Sequence, residues 1–179
     1  MTFKQLNLSP ALLNALPKSI TKPTDIQLLA IPDALAGQDI LALAQTGSGK
    51  TLAFGLPVLQ QIEQSIGKST DKKNVQALVI VPTRELAQQV SEAFIQIATP
   101  LNINVAMLCG GVSQASQEQQ INDGAQIIVA TPGRLLDLLK QELFMGQVDS
   151  ARLQTQIAEM NTATNNLIIQ INEKFQKDN

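Results

Sequence analysis

The eight residues Ala44-Gln45-Thr46-Gly47-Ser48-Gly49-Lys50-Thr51 constrain this chain more than any other stretch. The apolar run Ile40-Leu41-Ala42-Leu43 precedes them and a helical pattern follows, so strand, glycine loop and helix succeed one another as phosphate cradling requires. Gly47 and Gly49 carry no Cβ, which lets successive N–H groups turn inward toward phosphate oxygens, and the helix adds its positive N-terminal end. Thr46 and Ser48 complete the loop. By their positions, the Lys50 ammonium reaches the β- and γ-phosphates and the Thr51 hydroxyl ligates Mg²⁺. Ala44 stands where the general pattern begins with Gly. The plain alternative is an ordinary glycine turn, against which stand the strand and helix signals on either side, read independently of the motif.

At 179 residues the chain fits one domain with a real core. No apolar run approaches a membrane span, and the start Met-Thr-Phe-Lys-Gln lacks a secretory signal's apolar segment, so a soluble cytoplasmic protein is expected. Cys109 is the only cysteine and histidine is absent, which excludes an internal disulfide, a cysteine-rich zinc site and histidine general-base chemistry. The net charge of −2 means that any nucleic acid must be held by a local cluster of donors. With 3 % aromatic residues, all of them Phe, base-stacking platforms are scarce.

Along the chain, Ser9-Pro10 caps a short helix carrying Leu12, Leu13 and Leu16. Thr24 and Gln27 have the spacing of a capping box and open a second helix. It turns Ile26, Leu29, Ala30 and Leu35 inward, is kinked near Pro32 and ends by Gly37. A first strand is expected over Asp39 to Leu43, and a helix beyond the loop runs to about Ile66. Val75 to Val81, Asn104 to Leu108 and Ala125 to Ala130 read as further strands. They alternate with helices capped at Thr83, running from Gln114 to Asp123, and starting after Thr131-Pro132-Gly133. Such alternation means an α/β fold, a parallel sheet with helices on both faces. Ligands lie beyond the carboxyl ends of such strands, so the glycine loop, Pro82 to Arg84, Cys109 to Gly111 and Thr131 to Arg134 should share one face.

Pro23-Thr24-Asp25-Ile26-Gln27, Ala44 to Thr51, Pro82-Thr83-Arg84-Glu85-Leu86-Ala87, Gly110-Gly111 and Thr131-Pro132-Gly133-Arg134 follow one another in an informative order. Their order and spacing resemble the DEAD-box RNA helicases over residues 1 to about 141. The resemblance implies a RecA-like first helicase lobe that uses ATP or ADP with Mg²⁺. It implies that Gln27, beside Thr24, reads the adenine edge and that Phe3 stacks on the ring. Gln27 can equally be only the capping-box partner, and Phe3 can simply cover the core edge. The resemblance further implies RNA-backbone contacts at Thr83, Arg84, Gly110, Gly111, Thr131 and Arg134. Turn N–H groups, hydroxyls and helix N-termini suit phosphates and carry no base sequence, which agrees with sequence-independent binding. Taken singly, Arg84 and Arg134 are also explained by surface ion pairs with Glu85, Asp137 or another acid, and Gly110-Gly111 by an ordinary turn.

The family continues with an acidic strand, a Ser-Ala-Thr motif and a second lobe, none of which is visible after Lys140. The expectation is therefore an incomplete lobe, truncated before its acidic motif, that binds RNA weakly alone and turns over little ATP. Residues 142–179 form a divergent tail in which Leu153, Ile157, Met160, Thr164, Leu167, Ile171 and Lys174 alternate spacings of four and three. That pattern predicts an amphipathic helix over about 150–177, able to pair with itself or another protein and so to make the chain an interaction module. A rival reading takes Leu167 to Glu173 as a degenerate acidic strand with Glu173 as the catalytic carboxylate.

Overall fold

The structure, a computed structural model, describes residues 2–66 and 75–140. A 3-10 turn at Phe3–Leu6 leads into α1 (Pro10–Ala15), where Ser9 Oγ accepts the Leu12 N–H at 3.1 Å and Pro10 occupies the first helical turn. α2 (Asp25–Leu35) and α3 (Lys50–Ser65) lie on either side of the glycine loop and pack on each other. The remaining order is β1 (Ala77–Ile80), α4 (Arg84–Ala98), β2 (Val105–Leu108), α5 (Gln114–Asn122), β3 (Ile127–Ala130) and α6 (Pro132–Lys140). No helix among the described residues is long and apolar enough to cross a membrane.

The sheet has the order β1-β3-β2 and is parallel throughout, with Ala77 opposite Ile127 and Val105 opposite the same residue. β3 is central and all four of its residues are buried, which is why Ile127-Ile128-Val129-Ala130 is apolar without alternation. Its side chains leave the two faces in turn. Ile127 and Val129 join Leu56, Phe94 and Ile97 from α3 and α4, while Ile128 and Ala130 join Leu108, Ile121, Leu135 and Leu138. The sheet is thereby covered on both faces, as the alternation of strands and helices predicts. On the first face Gly55 lets α3 approach α4, since a Cβ there would meet Phe94 Cζ at 3.3 Å.

Two expectations require correction. Asp39 to Leu43 is not a strand; Leu41 is 92 % and Leu43 86 % exposed, and no strand among the described residues pairs with the segment. β1 bonds to β3 alone, so its other edge has no ladder among the described residues either. An apolar run supplies a surface to bury, but a strand also needs a neighbour for its N–H and C=O groups. In α2, Leu29 is 70 % exposed, and the inner face carries Gln27, Ala30 and Ile31. That helix is apolar on more than one side, and packing against α3 selects which side is buried. On α4, Ala87 lies on the inner face and its neighbour Leu86 is exposed. The helix expected over about 150–177 and Glu173 lie outside the described residues.

Candidate functional site

The glycine loop is held from two sides. Gln27, buried at the head of α2, accepts the Thr24 N–H through Oε1 at 3.0 Å and donates from Nε2 to the Gly49 carbonyl at 3.0 Å. One amide thus closes the turn that starts α2 and ties it to the loop. Gly47 and Gly49 have φ of +81° and +91°, the left-handed region that bends the chain back on itself. The N–H groups of Gly49, Lys50, Thr51 and Leu52 donate to no group among the described residues, so the head of α3 presents its four orphan donors around the loop. Lys50 Nζ donates to the carbonyls of Ala44 and Gln45, the latter at 2.7 Å. Ser48 Oγ is buried without a hydrogen-bond partner.

A cation turned into the loop, free helix-head donors and an unpartnered hydroxyl fit a polyphosphate chemically. Lys50 and the N–H groups would hold the phosphates, and the Thr51 hydroxyl offers an oxygen to Mg²⁺, which when bound would neutralise phosphate charge. Beside the loop, Thr24, Ile26, Leu29, Leu43, Ala44 and Ser48 line a cavity of about 390 Å³. A larger cavity of about 730 Å³ has Lys50 and Thr51 among its lining residues. Its walls are mostly apolar, including Ile40, Leu41, Phe54, Pro57 and Val58, and it lies beside the unpaired 39–43 segment. Phe3 is 4 % exposed and packed in the core, which agrees with its covering role and leaves little ring face for a base.

The three turns at the carboxyl ends of β1, β3 and β2 come together because those strands are parallel neighbours. Thr83 caps α4, its Oγ1 accepting the Leu86 N–H at 3.3 Å. Glu85 in the first turn is held below the ordinary carboxylate range by a hydrogen bond from its own backbone N–H, then by the Thr83 hydroxyl, and more weakly by Arg84. Arg84 lies over the β2 turn. Gly111 has φ of +76°, which favours glycine, and Arg84 Nη1 lies 2.8 Å from where its Cβ would stand, so the guanidinium rests against this glycine. Gly110 and Gly111 are exposed residues, and their N–H groups donate to no group among the described residues. Thr131 donates its N–H to Leu108 O at 2.9 Å, tying the β3 turn to β2.

Arg134 does not use its guanidinium on Asp137, the partner that a surface ion pair would supply. Its Nε and Nη2 point to the carbonyls of Cys109 and Val112 at 3.4 and 3.3 Å, and Nη1 to Gln114 Oε1 at 3.2 Å. Gln117, which the sequence reading passed over, is fully buried and donates from Nε2 to the same two carbonyls at 2.9 and 3.3 Å. The available signal was its place one helical turn before Ile121 on an otherwise polar helix, which puts it on the buried face. The β2 and β3 turns are thus bonded to each other, and Arg84 beyond β1 lies against Gly111. The glycine loop, expected on the same face, is attached through α2 and α3 rather than through a sheet strand.

Comparison with known proteins agrees with this architecture. The DEAD/DEAH box helicase profile matches residues 24–158, beyond the last of the motifs quoted above. The ATP-dependent rRNA helicase RRP3 of Candida glabrata is 44 % identical over 140 residues, which cover 78 % of this chain and 27 % of that protein. The structure of the RNA helicase Prp28 from Chaetomium thermophilum bound to ADP superposes with a TM-score of 0.70 at 40 % identity, covering 79 % of this chain and 35 % of the other. That of the DEAD-box helicase Mss116 bound to ssRNA and UDP-BeF does so at 0.73 and 28 % identity, covering 79 % and 30 %. The chain thus spans about a quarter to a third of these relatives. With a profile matched over most of its length and a RecA-like sheet in common with solved helicases, the chain belongs to the DEAD/DEAH box helicase family.

Proposed function

We propose that this chain is a nucleotide-binding first lobe of the DEAD-box type, which takes ATP or ADP with Mg²⁺ at residues 46–51 and meets RNA through its sugar-phosphate backbone. The observation that carries the reading is the Gln27 amide, which joins the head of α2 to the Gly49 carbonyl and makes the two motifs one site. Thr24 and Gln27 would stand toward the base, Lys50 toward the phosphates and Thr51 toward the metal. Prp28 bound to ADP and Mss116 bound to ssRNA, both similar in fold, support nucleotide and RNA as the ligand classes. Thr83, Arg84, Gly110, Gly111, Thr131 and Arg134 are proposed as the RNA face, where the unpaired N–H groups of the two glycines, the threonine hydroxyls and the arginines suit phosphates of any sequence. Turnover is proposed to be slow, because the sequence after Lys140 contains no adjacent Asp-Glu pair to hold the metal and position water.

Fluorescent ADP with Mg²⁺ should bind the protein saturably and bind Lys50→Ala at least about tenfold more weakly, since a charge-assisted phosphate contact is lost. Equal affinity for the two proteins would refute the site. Release of phosphate from ATP, followed with and without single-stranded RNA, should remain close to background; brisk RNA-stimulated turnover would refute the proposed deficiency.

A further inference from the structure

We propose that Gln117 is a positioning residue for RNA, acting by fixing the 109–112 turn so that the Gly110 and Gly111 N–H groups face outward. The inference rests on the reading of this turn as part of the RNA face. The turn has two exposed glycines and no sheet ladder of its own beyond β2. Glycine is the residue with most backbone freedom to lose, so two in sequence make a loose phosphate grip unless something external holds them. What holds them is a pair of side chains from two helices. Gln117 Nε2 reaches the carbonyls of Cys109 and Val112, the residues that bracket the glycines, from inside the fold at 2.9 and 3.3 Å. Arg134 reaches the same two carbonyls from α6 at 3.4 and 3.3 Å.

Both flanking carbonyls are engaged by protein side chains, and the N–H groups of the two glycines between them have no partner among the described residues. Arg84 then lies against Gly111, adding a cation beside those donors. Gln117 itself touches no exposed surface: it is 0 % exposed, and its Oε1 has no hydrogen-bond partner. Its donors are therefore its polar contribution to this turn, and it can influence RNA only through the turn that it holds.

The test uses the full chain and the variant Gln117→Met, which keeps volume and removes both donors. Four quantities are read: affinity for a fluorescein-labelled oligouridylate decamer, affinity for ADP with Mg²⁺, the thermal transition, and the ¹H–¹⁵N resonances of Gly110 and Gly111. We expect RNA affinity to fall about tenfold as the turn loses its inner clamp, with ADP affinity within about twofold and both glycine amides shifted or broadened in the free protein. A merely structural role would not separate RNA from ADP in this way. Arg84→Ala supplies the control. If it weakens RNA binding while Gln117→Met leaves binding and glycine resonances unchanged, the positioning role is overturned. If Arg84→Ala leaves RNA binding untouched, the reading of the turns as an RNA face fails first. Should Gln117→Met lose its cooperative transition, Gln117→Glu takes its place. Its carboxyl when protonated can serve one of the two carbonyls, and RNA affinity should fall by less than tenfold. Equal loss of ADP and RNA affinity in the folded variant would also overturn the proposal.

Discussion

Gly49 has φ +91° and its missing Cβ leaves room for the Gln27 amide, whose Nε2 would lie 2.5 Å from a methyl group placed there. Gly47, at φ +81°, has nothing within 4 Å of the same position. The two glycines therefore separate two costs. Gly47→Ala should lose only the left-handed backbone preference, about 1–2 kcal/mol. Gly49→Ala should lose that and also displace Gln27, so its denaturation midpoint and its ADP affinity should both fall further; equal losses in urea titrations would contradict the close approach. Gln27→Leu leaves the Thr24 N–H and the Gly49 carbonyl without their partner, and should destabilise the protein by about 1–3 kcal/mol. The sequence held half of this residue's role. Thr24 and Gln27 stand three apart, so the capping bond was legible, whereas the bond to Gly49 spans 22 residues and depends on how α2 packs against α3.

At the level of elements, α4 has the clearest local code. Thr83 caps it, Glu85 lies in its first turn, and Val90, Phe94 and Ile97 form its buried stripe. Thr83→Ala should cost about 1 kcal/mol in chemical denaturation through loss of the cap. The Glu85 carboxyl should titrate below the ordinary 4.5, by carbon-detected NMR, because its hydrogen bonds favour the charged form. Its folded pKa is depressed, so its contribution is present above the unfolded pKa and fades as pH falls through the folded one. Because the group is fully exposed, that contribution is small, and Glu85→Gln should flatten only the acid end of the stability profile. α2 was less legible. Its apolar residues surround the axis too widely for periodicity to say that Leu29 would face solvent and Ile31 the core.

Across the whole molecule, β3 is sealed on both sides, whereas among the described residues the outer edge of β1 has no ladder and Leu41 and Leu43 are exposed. Exposed large apolar side chains and open strand edges each favour adhesion. The double substitution Leu41→Ser with Leu43→Ser should lower binding of a hydrophobic dye and reduce concentration-dependent association in sedimentation. It should shift stability by no more than about 0.5 kcal/mol per site, as at other surface positions. A large loss of stability would mean that these side chains are buried in solution. Helix caps, the apolar run of β3 and the glycine loop between α2 and α3 were legible in the sequence alone, because each depends on residues within a few positions of one another. The tertiary structure decided which apolar run became a strand, which face of α2 turned inward, and that Gln117 and Arg134 clamp one turn from two helices. Those outcomes depend on partners distant in sequence, and a run such as 40–43 becomes β structure only where another strand meets its backbone.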